Sequence, residues 1–148
     1  MKRPLIIAGV LVLLAASFVV ARWINNDTVE RARVVELLRA QLRGDAAEML
    51  RRLDGCTDPA CLAAVGANAR RLRREAELRV ALYQSQTAHA PRSRTKFTRV
   101  VWFPSGREAE TTVQCVLVRR EGNVLAGMTV SLLRVTAPIG RESSCPAS

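Results

Sequence analysis

Residues 4–21 form an apolar stretch without a single charged side chain, and this stretch constrains the chain more than any other feature. As a helix rising about 1.5 Å per residue it would be about 27 Å long, close to the roughly 30 Å hydrocarbon core of a bilayer. Lys2 and Arg3 precede it, which predicts a cytoplasmic N-terminus and an exported remainder. The sequence therefore predicts a membrane anchor within residues 1–24, ending at Arg22 and Trp23.

The same stretch also fits a cleaved signal peptide, because it combines a basic start, an apolar centre and a small residue at a candidate cleavage point. Val19-Val20-Ala21 would be that point, with cleavage before Arg22. The apolar run reaches this point without a polar region, which favours an uncleaved anchor. We therefore expect a single-pass protein of the cytoplasmic membrane with residues 25–148 as its extracytoplasmic domain, or a secreted domain if the chain is cleaved.

The four cysteines are an even number in a domain expected outside the cytoplasm, where disulfides persist. Cys56 and Cys61 flank a short turn, so a bridge between them closes readily and leaves Cys115 to pair with Cys145. Two other connectivities are open to four cysteines. The Cys56 and Cys61 spacing, in a chain with one histidine, is a weak zinc pattern. We expect two disulfides, no metal and no other cofactor.

Apolar residues at helical spacing predict three helices after the apolar stretch. Val34, Leu37, Leu38 and Leu42 mark the first helix. Asp45 is placed to cap a second helix that ends at Gly55, and Asp58-Pro59 starts a third, since Asp is favoured at the N-cap and Pro in the first turn.

After Glu77 the period of the apolar residues changes to two, which predicts strands. The first has Leu78, Val80 and Leu82 on one face, and the others cover residues 97–103, 111–119 and 124–135, with a turn at residues 121–123. Helices followed by strands joined through hairpins predict an α+β domain, a curved antiparallel sheet of about four strands with helices on one face.

This order of elements, with Gly44-Asp45 between the first two helices, resembles the exported cone-shaped domains of the NTF2-like (cystatin-like) superfamily. The resemblance covers roughly residues 28–137. Similar single-span proteins accompany actinobacterial lipid-import (Mce) systems, and others form part of type IV secretion channels. The resemblance implies a cavity between sheet and helices, with the following candidate lining residues: Leu82, Tyr83, Trp102, Val116 and Met128.

Some members of that superfamily are isomerases or dehydratases that use an Asp, His or Tyr in the cavity, and this chain departs from their pattern. The aspartates lie at expected helix caps and turns, in the helical half of the chain: Asp27, Asp45, Asp54 and Asp58. The strands offer Tyr83 and Gln114, and neither is a general base on its own. His89 lies in a polar loop beside Pro91. We therefore predict no catalytic residues and no enzyme.

Arginine accounts for all but two of the 23 basic residues, and the formal net charge is +10. Two basic clusters stand out: Arg70, Arg71, Arg73 and Arg74, and then Arg92, Arg94, Lys96 and Arg99. They are either solvated faces of a helix and a loop or contacts with anionic lipid headgroups. Nucleic acid is not an expected partner outside the cytoplasm.

Two functions remain at this point. The first is a non-enzymatic, membrane-anchored interaction or assembly module of a bacterial envelope system, with protein partners in an envelope complex. The second is an exported domain that binds a small molecule or lipid in the cavity of the cone. A cavity filled by the chain's own side chains would argue against the second function.

Overall fold

The computed structural model describes residues 2–86, 94–123 and 127–146, without the side chains of residues 2–5, 22–26 and 123. Three α-helices come first in this part of the chain: α1 Lys2–Arg43, α2 Ala46–Arg52 and α3 Pro59–Arg71. Four strands follow: β1 Leu78–Ser85, β2 Arg94–Pro104, β3 Thr112–Asn123 and β4 Gly127–Val135. A short 3-10 helix, Glu108–Glu110, lies between β2 and β3.

The predicted membrane-spanning helix is wrong. Among the described residues, no helix is both long enough and apolar enough to cross a membrane. The predicted anchor is also not a separate element, since α1 runs as one helix of 42 residues from Lys2 to Arg43.

Aspartates start the two shorter helices, as the sequence predicts. Asp45 accepts a hydrogen bond from the backbone N–H of Glu48 at 2.9 Å, and Asp58 accepts one from Cys61 at 2.9 Å. Pro59 occupies the first turn of α3, where a backbone N–H would have no acceptor within the helix, so proline loses no hydrogen bond there. These caps fix where the chain turns between α1, α2 and α3.

Both predicted disulfides are confirmed with the predicted pairing. Cys56 bonds Cys61 across the loop between α2 and α3, with 5.6 Å between the Cα atoms. Cys115 in β3 bonds Cys145, with 5.7 Å between the Cα atoms. The second bridge fastens the C-terminal segment to the sheet, where Ile139 also pairs with Val113.

The four strands form one antiparallel sheet in the order β1-β2-β3-β4, which confirms the predicted α+β class with four strands. The turn predicted at residues 121–123 is wrong, because Glu121, Gly122 and Asn123 pair with β4. Gly122 has a φ of +104°, and a Cβ there would lie 2.2 Å from the carbonyl oxygen of Gly127. The glycine therefore allows a close approach of two strands rather than the turn itself.

A bulge in β1 changes which side chains of this strand face the helices. Val80 pairs with Trp102, but Leu82 pairs with Val101, so Ala81 is the extra residue. Beyond the bulge the alternation is reversed, since successive side chains of a strand point to opposite faces. Leu82 is consequently 41% exposed, whereas Tyr83 packs against the core. The prediction that Leu82 shares a face with Val80 is wrong for this reason.

The hydrophobic core lies between the helices and one face of the sheet. Helix α1 contributes Val34, Leu37 and Leu38, all fully buried. The sheet contributes alternate residues of its inner face: Val100, Trp102, Val116, Val118, Val130 and Leu132. The C-terminal half of α1 is therefore the main helix of the domain, whereas none of the described side chains in the N-terminal half of α1 belongs to this core.

Candidate interaction site

The apolar segment of α1, residues 6–21, is exposed along its whole length. Its large apolar side chains from Ile6 to Val20 are 40% to 70% exposed. Residues 10–14 are all apolar and go once round the helix, because about 3.6 residues make a turn. Soluble monomers rarely expose contiguous apolar patches above a few hundred Å², and larger ones mark interaction sites. This exposed segment is the candidate site.

The exposed segment is joined to the domain through the backbone of a single helix. The same α1 that carries Ile6 to Val20 buries Val34, Leu37 and Leu38 in the core. The core therefore holds one end of the helix, and the exposed segment leaves the domain in a direction that the core sets.

A buried ionic cluster, which we call the Glu30 cluster, ties α1 to the sheet close to this exit. Glu30 is fully buried and accepts hydrogen bonds from Tyr83 at 2.7 Å and Thr98 at 2.8 Å. Its second oxygen accepts from Nε of Arg120 at 2.7 Å. Arg120 also donates to Asp27 at 2.6 Å, one turn of helix nearer the exposed segment. Three strands are thus bonded to one turn of α1.

The protonation states in the Glu30 cluster follow from burial and from the neighbouring charges. Burial, together with the negative charge of Glu30, raises the pKa of Tyr83 well above its ordinary value, so the phenol stays neutral. Burial alone would lower the pKa of Arg120. Its hydrogen bond to Asp27 and the charge of Glu30 outweigh that effect, so the pKa of Arg120 is raised and its charge is kept. The geometry is that of a structural ion pair.

A second polar cluster joins α1 to the sheet further along the helix. The amides of Gln41 and Gln114 exchange two hydrogen bonds, at 2.8 Å and 3.2 Å. The indole N–H of Trp102 donates to Gln114 at 2.9 Å, and Gln114 donates to the carbonyl of Thr136 at 2.9 Å. Asn68 of α3 donates to the same carbonyl at 3.0 Å. The two clusters together fix both the position and the rotation of α1 on the sheet.

Sequence reasoning missed Glu30, Arg120 and Gln41 as buried polar residues. A signal was present in the spacing. Glu30 lies one helical turn before Val34, and Gln41 lies one turn after Leu37. A charged residue and an amide in line with an apolar stripe predict buried groups that need partners. Arg120 is in β3, two residues from Val118 on the same face. Its partner on α1 is 90 residues away in the chain and left no local signal.

The five predicted cavity residues have separate positions in the structure. Trp102 and Val116 belong to the packed core, and Tyr83 bonds to Glu30. Met128 pairs with Gly122 near the end of the β3–β4 hairpin. Leu82 points to the other side of the sheet. Trp102, Val116 and Tyr83 are thus packed on the side of the helices, and the cone cavity itself stays a prediction.

The predicted basic clusters are partly engaged in contacts within the domain. The backbone N–H of Arg74 donates to Leu42 at 2.8 Å, and its side chain donates to Glu110 at 3.0 Å. Arg99 donates to the carbonyl of Arg141 at 2.5 Å. The other described members are exposed or partly exposed: Arg70, Arg71, Arg73, Arg94 and Lys96. Arg92 and His89 lie outside the described residues, and a contact of these clusters with anionic headgroups stays a prediction.

Within the described ranges, no group of three or more His, Cys, Asp or Glu side chains is placed to hold a metal ion. The two carboxylates of the Glu30 cluster, those of Asp27 and Glu30, both bind Arg120.

No family model, curated protein or solved structure gives a significant match to this chain.

Proposed function

We propose that this chain is a non-enzymatic interaction module that works outside the cytoplasm, and that it docks onto another protein of a bacterial envelope assembly through the exposed segment of α1. One observation carries the proposal: the segment from Ile6 to Val20 exposes apolar side chains on every side of a helix that the domain holds in place. Apolar surface of this extent is stabilised when a partner covers it.

The partner must surround the segment rather than flank it. A single helix packed alongside covers one stripe of a helix, whereas residues 10–14 are apolar all the way round. A groove or bundle of another protein can cover such a segment on several sides. The Glu30 cluster supports this role, because it keeps the helix in one orientation relative to the domain and so reduces the entropy lost on docking.

Two features support a location outside the cytoplasm and a non-enzymatic role. The disulfides Cys56–Cys61 and Cys115–Cys145 fit an oxidising compartment outside the cytoplasm. The buried carboxylate of Glu30 is held by Tyr83, Thr98 and Arg120, which is a supporting role within the fold rather than acid–base chemistry on a substrate.

Site-specific photo-crosslinking in cells tests this proposal. A photoreactive residue at Leu11 or Leu14, which are 61% and 60% exposed, is expected to give one discrete protein adduct. Leu62 of α3 is the matched control, since it is an apolar helical residue that is 43% exposed. The adduct from a photoreactive residue at position 11 should disappear when Ile7→Glu and Leu14→Glu, on the same face of the helix, are added, and it should persist when Leu62→Glu is added.

Three results would overturn it. Identical adducts from Leu62 would show that any exposed leucine is captured. Adducts with lipid alone would show that the segment contacts a membrane surface rather than a protein. Adducts with a second copy of the chain would show that the segment mediates self-association.

A further inference from the structure

A groove of about 390 Å³ lies where the end of α1 meets the start of β1. Unlike the buried polar clusters, this groove is open to solvent and has arginines along its rim. Its lining comprises Arg39, Leu42, Arg43, Ala76, Glu77, Leu78 and Arg79. The volume falls within the range of small-molecule clefts, about 300–1,000 Å³.

Two arginines of the rim have no carboxylate to neutralise them. Arg39 and Arg43 are one turn apart on the exposed face of α1, and neither forms an ion pair with any residue that the structure describes. Like charges at this spacing repel and destabilise a helix. Arg79 also lines the groove, from β1, and is 3.6 Å from Glu77, so the groove has three arginines against one carboxylate.

The charge of the helix end explains only part of this arrangement. Arg43 is in the last turn of α1, where a cation complements the negative pole of the helix dipole. That effect falls off within the last turn, and Arg79 belongs to another element. Arginines from α1 and β1 that line one groove have a further use, since each guanidinium presents a planar fork that matches the oxygens of a phosphate.

We propose that this groove binds a soluble phosphate monoester, with the phosphate between Arg39, Arg43 and Arg79 and the organic group on the apolar floor. Leu42 and Leu78 form that floor. The site is separate from the exposed segment of α1. Residue 39 is about 27 Å along the helix from residue 21 at about 1.5 Å per residue, several times the Debye length of about 8 Å at physiological salt.

Isothermal titration calorimetry of the full chain with phenyl phosphate, at constant ionic strength, tests the groove. The Arg39→Gln, Arg43→Gln double variant keeps good helix formers while it removes two guanidinium groups. We expect its affinity to fall about tenfold, as charge-assisted hydrogen bonds in a partly exposed site are lost. Arg79→Gln is expected to weaken binding in the same direction, and it provides a second reading if the double variant does not fold.

The control is the Arg51→Gln, Arg134→Gln double variant, which removes the same charge from side chains that are 68% and 60% exposed and lie outside the groove. We expect its affinity for phenyl phosphate to change less than about twofold, because distant charges are screened by salt. Equal losses in the two double variants, or no loss in either, would overturn the proposal.

Vesicles of phosphatidylglycerol distinguish a soluble ester from a lipid headgroup. A soluble ligand predicts that the wild-type chain and the Arg39→Gln, Arg43→Gln variant bind the vesicles equally. A parallel loss of vesicle binding and phenyl phosphate binding would assign the groove to lipid headgroups and overturn the soluble ligand. Because these readouts do not involve the partner of the exposed segment, this inference and the proposed function can fail independently.

Discussion

Glu30 is the residue on which the position of α1 depends most. It is fully buried, and its two oxygens accept hydrogen bonds from three side chains on three strands. Removing one partner of a buried ion pair is costly, because the other charge is left in a medium that solvates it poorly. The cluster therefore makes one orientation of α1 much more stable than its alternatives.

Glu30→Gln is expected to lower the free energy of unfolding by about 3–5 kcal/mol, since Arg120 then loses its buried counter-charge. Asp27→Asn is the matched control. Its carboxylate bonds the same guanidinium but is 43% exposed, so we expect a loss of about 1 kcal/mol or less. Urea denaturation of both variants provides the measurement. Equal losses would show that the buried charge pair is not the source of the effect.

The raised pKa of Tyr83 predicts that the free energy of unfolding falls at alkaline pH. Its pKa is raised by burial and by Glu30, so the folded chain keeps the phenol proton at a pH where the unfolded chain, with a pKa of about 10, loses it. The stabilising contribution is complete below about pH 10, and the free energy of unfolding then falls by up to about 1.4 kcal/mol per pH unit. Tyr83→Phe should show a shallower alkaline fall.

The chain has a single tyrosine, so the absorbance of the phenolate reports on Tyr83 alone. We expect this absorbance to rise together with loss of the helical circular dichroism signal. A phenolate that appears near pH 10 while the native circular dichroism is unchanged would contradict the buried position of Tyr83.

At the scale of single elements, the two disulfides act on segments of different length. Cys56–Cys61 closes a loop with a sequence separation of 5, and Cys115–Cys145 closes one with a separation of 30. A crosslink restricts the unfolded chain more when the loop is longer. The C-terminal segment also has few other contacts with the sheet among those described, chiefly the pairing of Ile139 with Val113 and the hydrogen bonds of Thr136.

Replacing both cysteines of a bridge by alanine should therefore cost about 2 kcal/mol for Cys56 and Cys61, and about 4 kcal/mol for Cys115 and Cys145, from loop closure alone. Denaturant midpoints of the two double variants under oxidising conditions measure the difference. The reverse order would mean that native packing around Cys56, rather than the entropy of the unfolded chain, dominates.

At the scale of the whole molecule, α1 divides into a half that stabilises the domain and a half that does not. The core begins at Val34 and the Glu30 cluster begins at Asp27, while residues 6–21 are exposed. The stability of the domain and the contact surface for a partner are consequently separate properties of one helix.

A chain that begins at Arg22 should have a free energy of unfolding within about 0.5 kcal/mol of that of the full chain, because none of the described residues 6–21 belongs to the core. A chain that begins at Arg31 loses Asp27 and Glu30 and should be about 3–5 kcal/mol less stable. Chemical denaturation of the two truncated proteins measures how much each half of α1 contributes to the free energy of unfolding. A large loss in the first protein would show that residues 2–21 pack against the domain.

Much of the fold could be predicted because it depends on neighbours in sequence. The caps at Asp45 and Asp58, the change of apolar period after Glu77 and the pairing of Cys56 with Cys61 all follow from short-range geometry. The bulge at Ala81 could not be predicted, since an extra residue in one strand is defined by its partner strand. The likeness to NTF2-like domains stays a prediction.

The sequence by itself determined the local elements, their order and the four-stranded α+β class, because helix capping and residue periodicity act over a few residues. It favoured the observed disulfide pairing, because the short loop between Cys56 and Cys61 closes readily. Only the tertiary structure decided three things: that the apolar segment and the first helix are one α1, that Glu30 and Arg120 are paired, and that Leu82 faces outwards. Each of these depends on contacts between residues that are far apart in sequence. Such contacts remove groups from water only once the chain is packed, so no short stretch of sequence determines them.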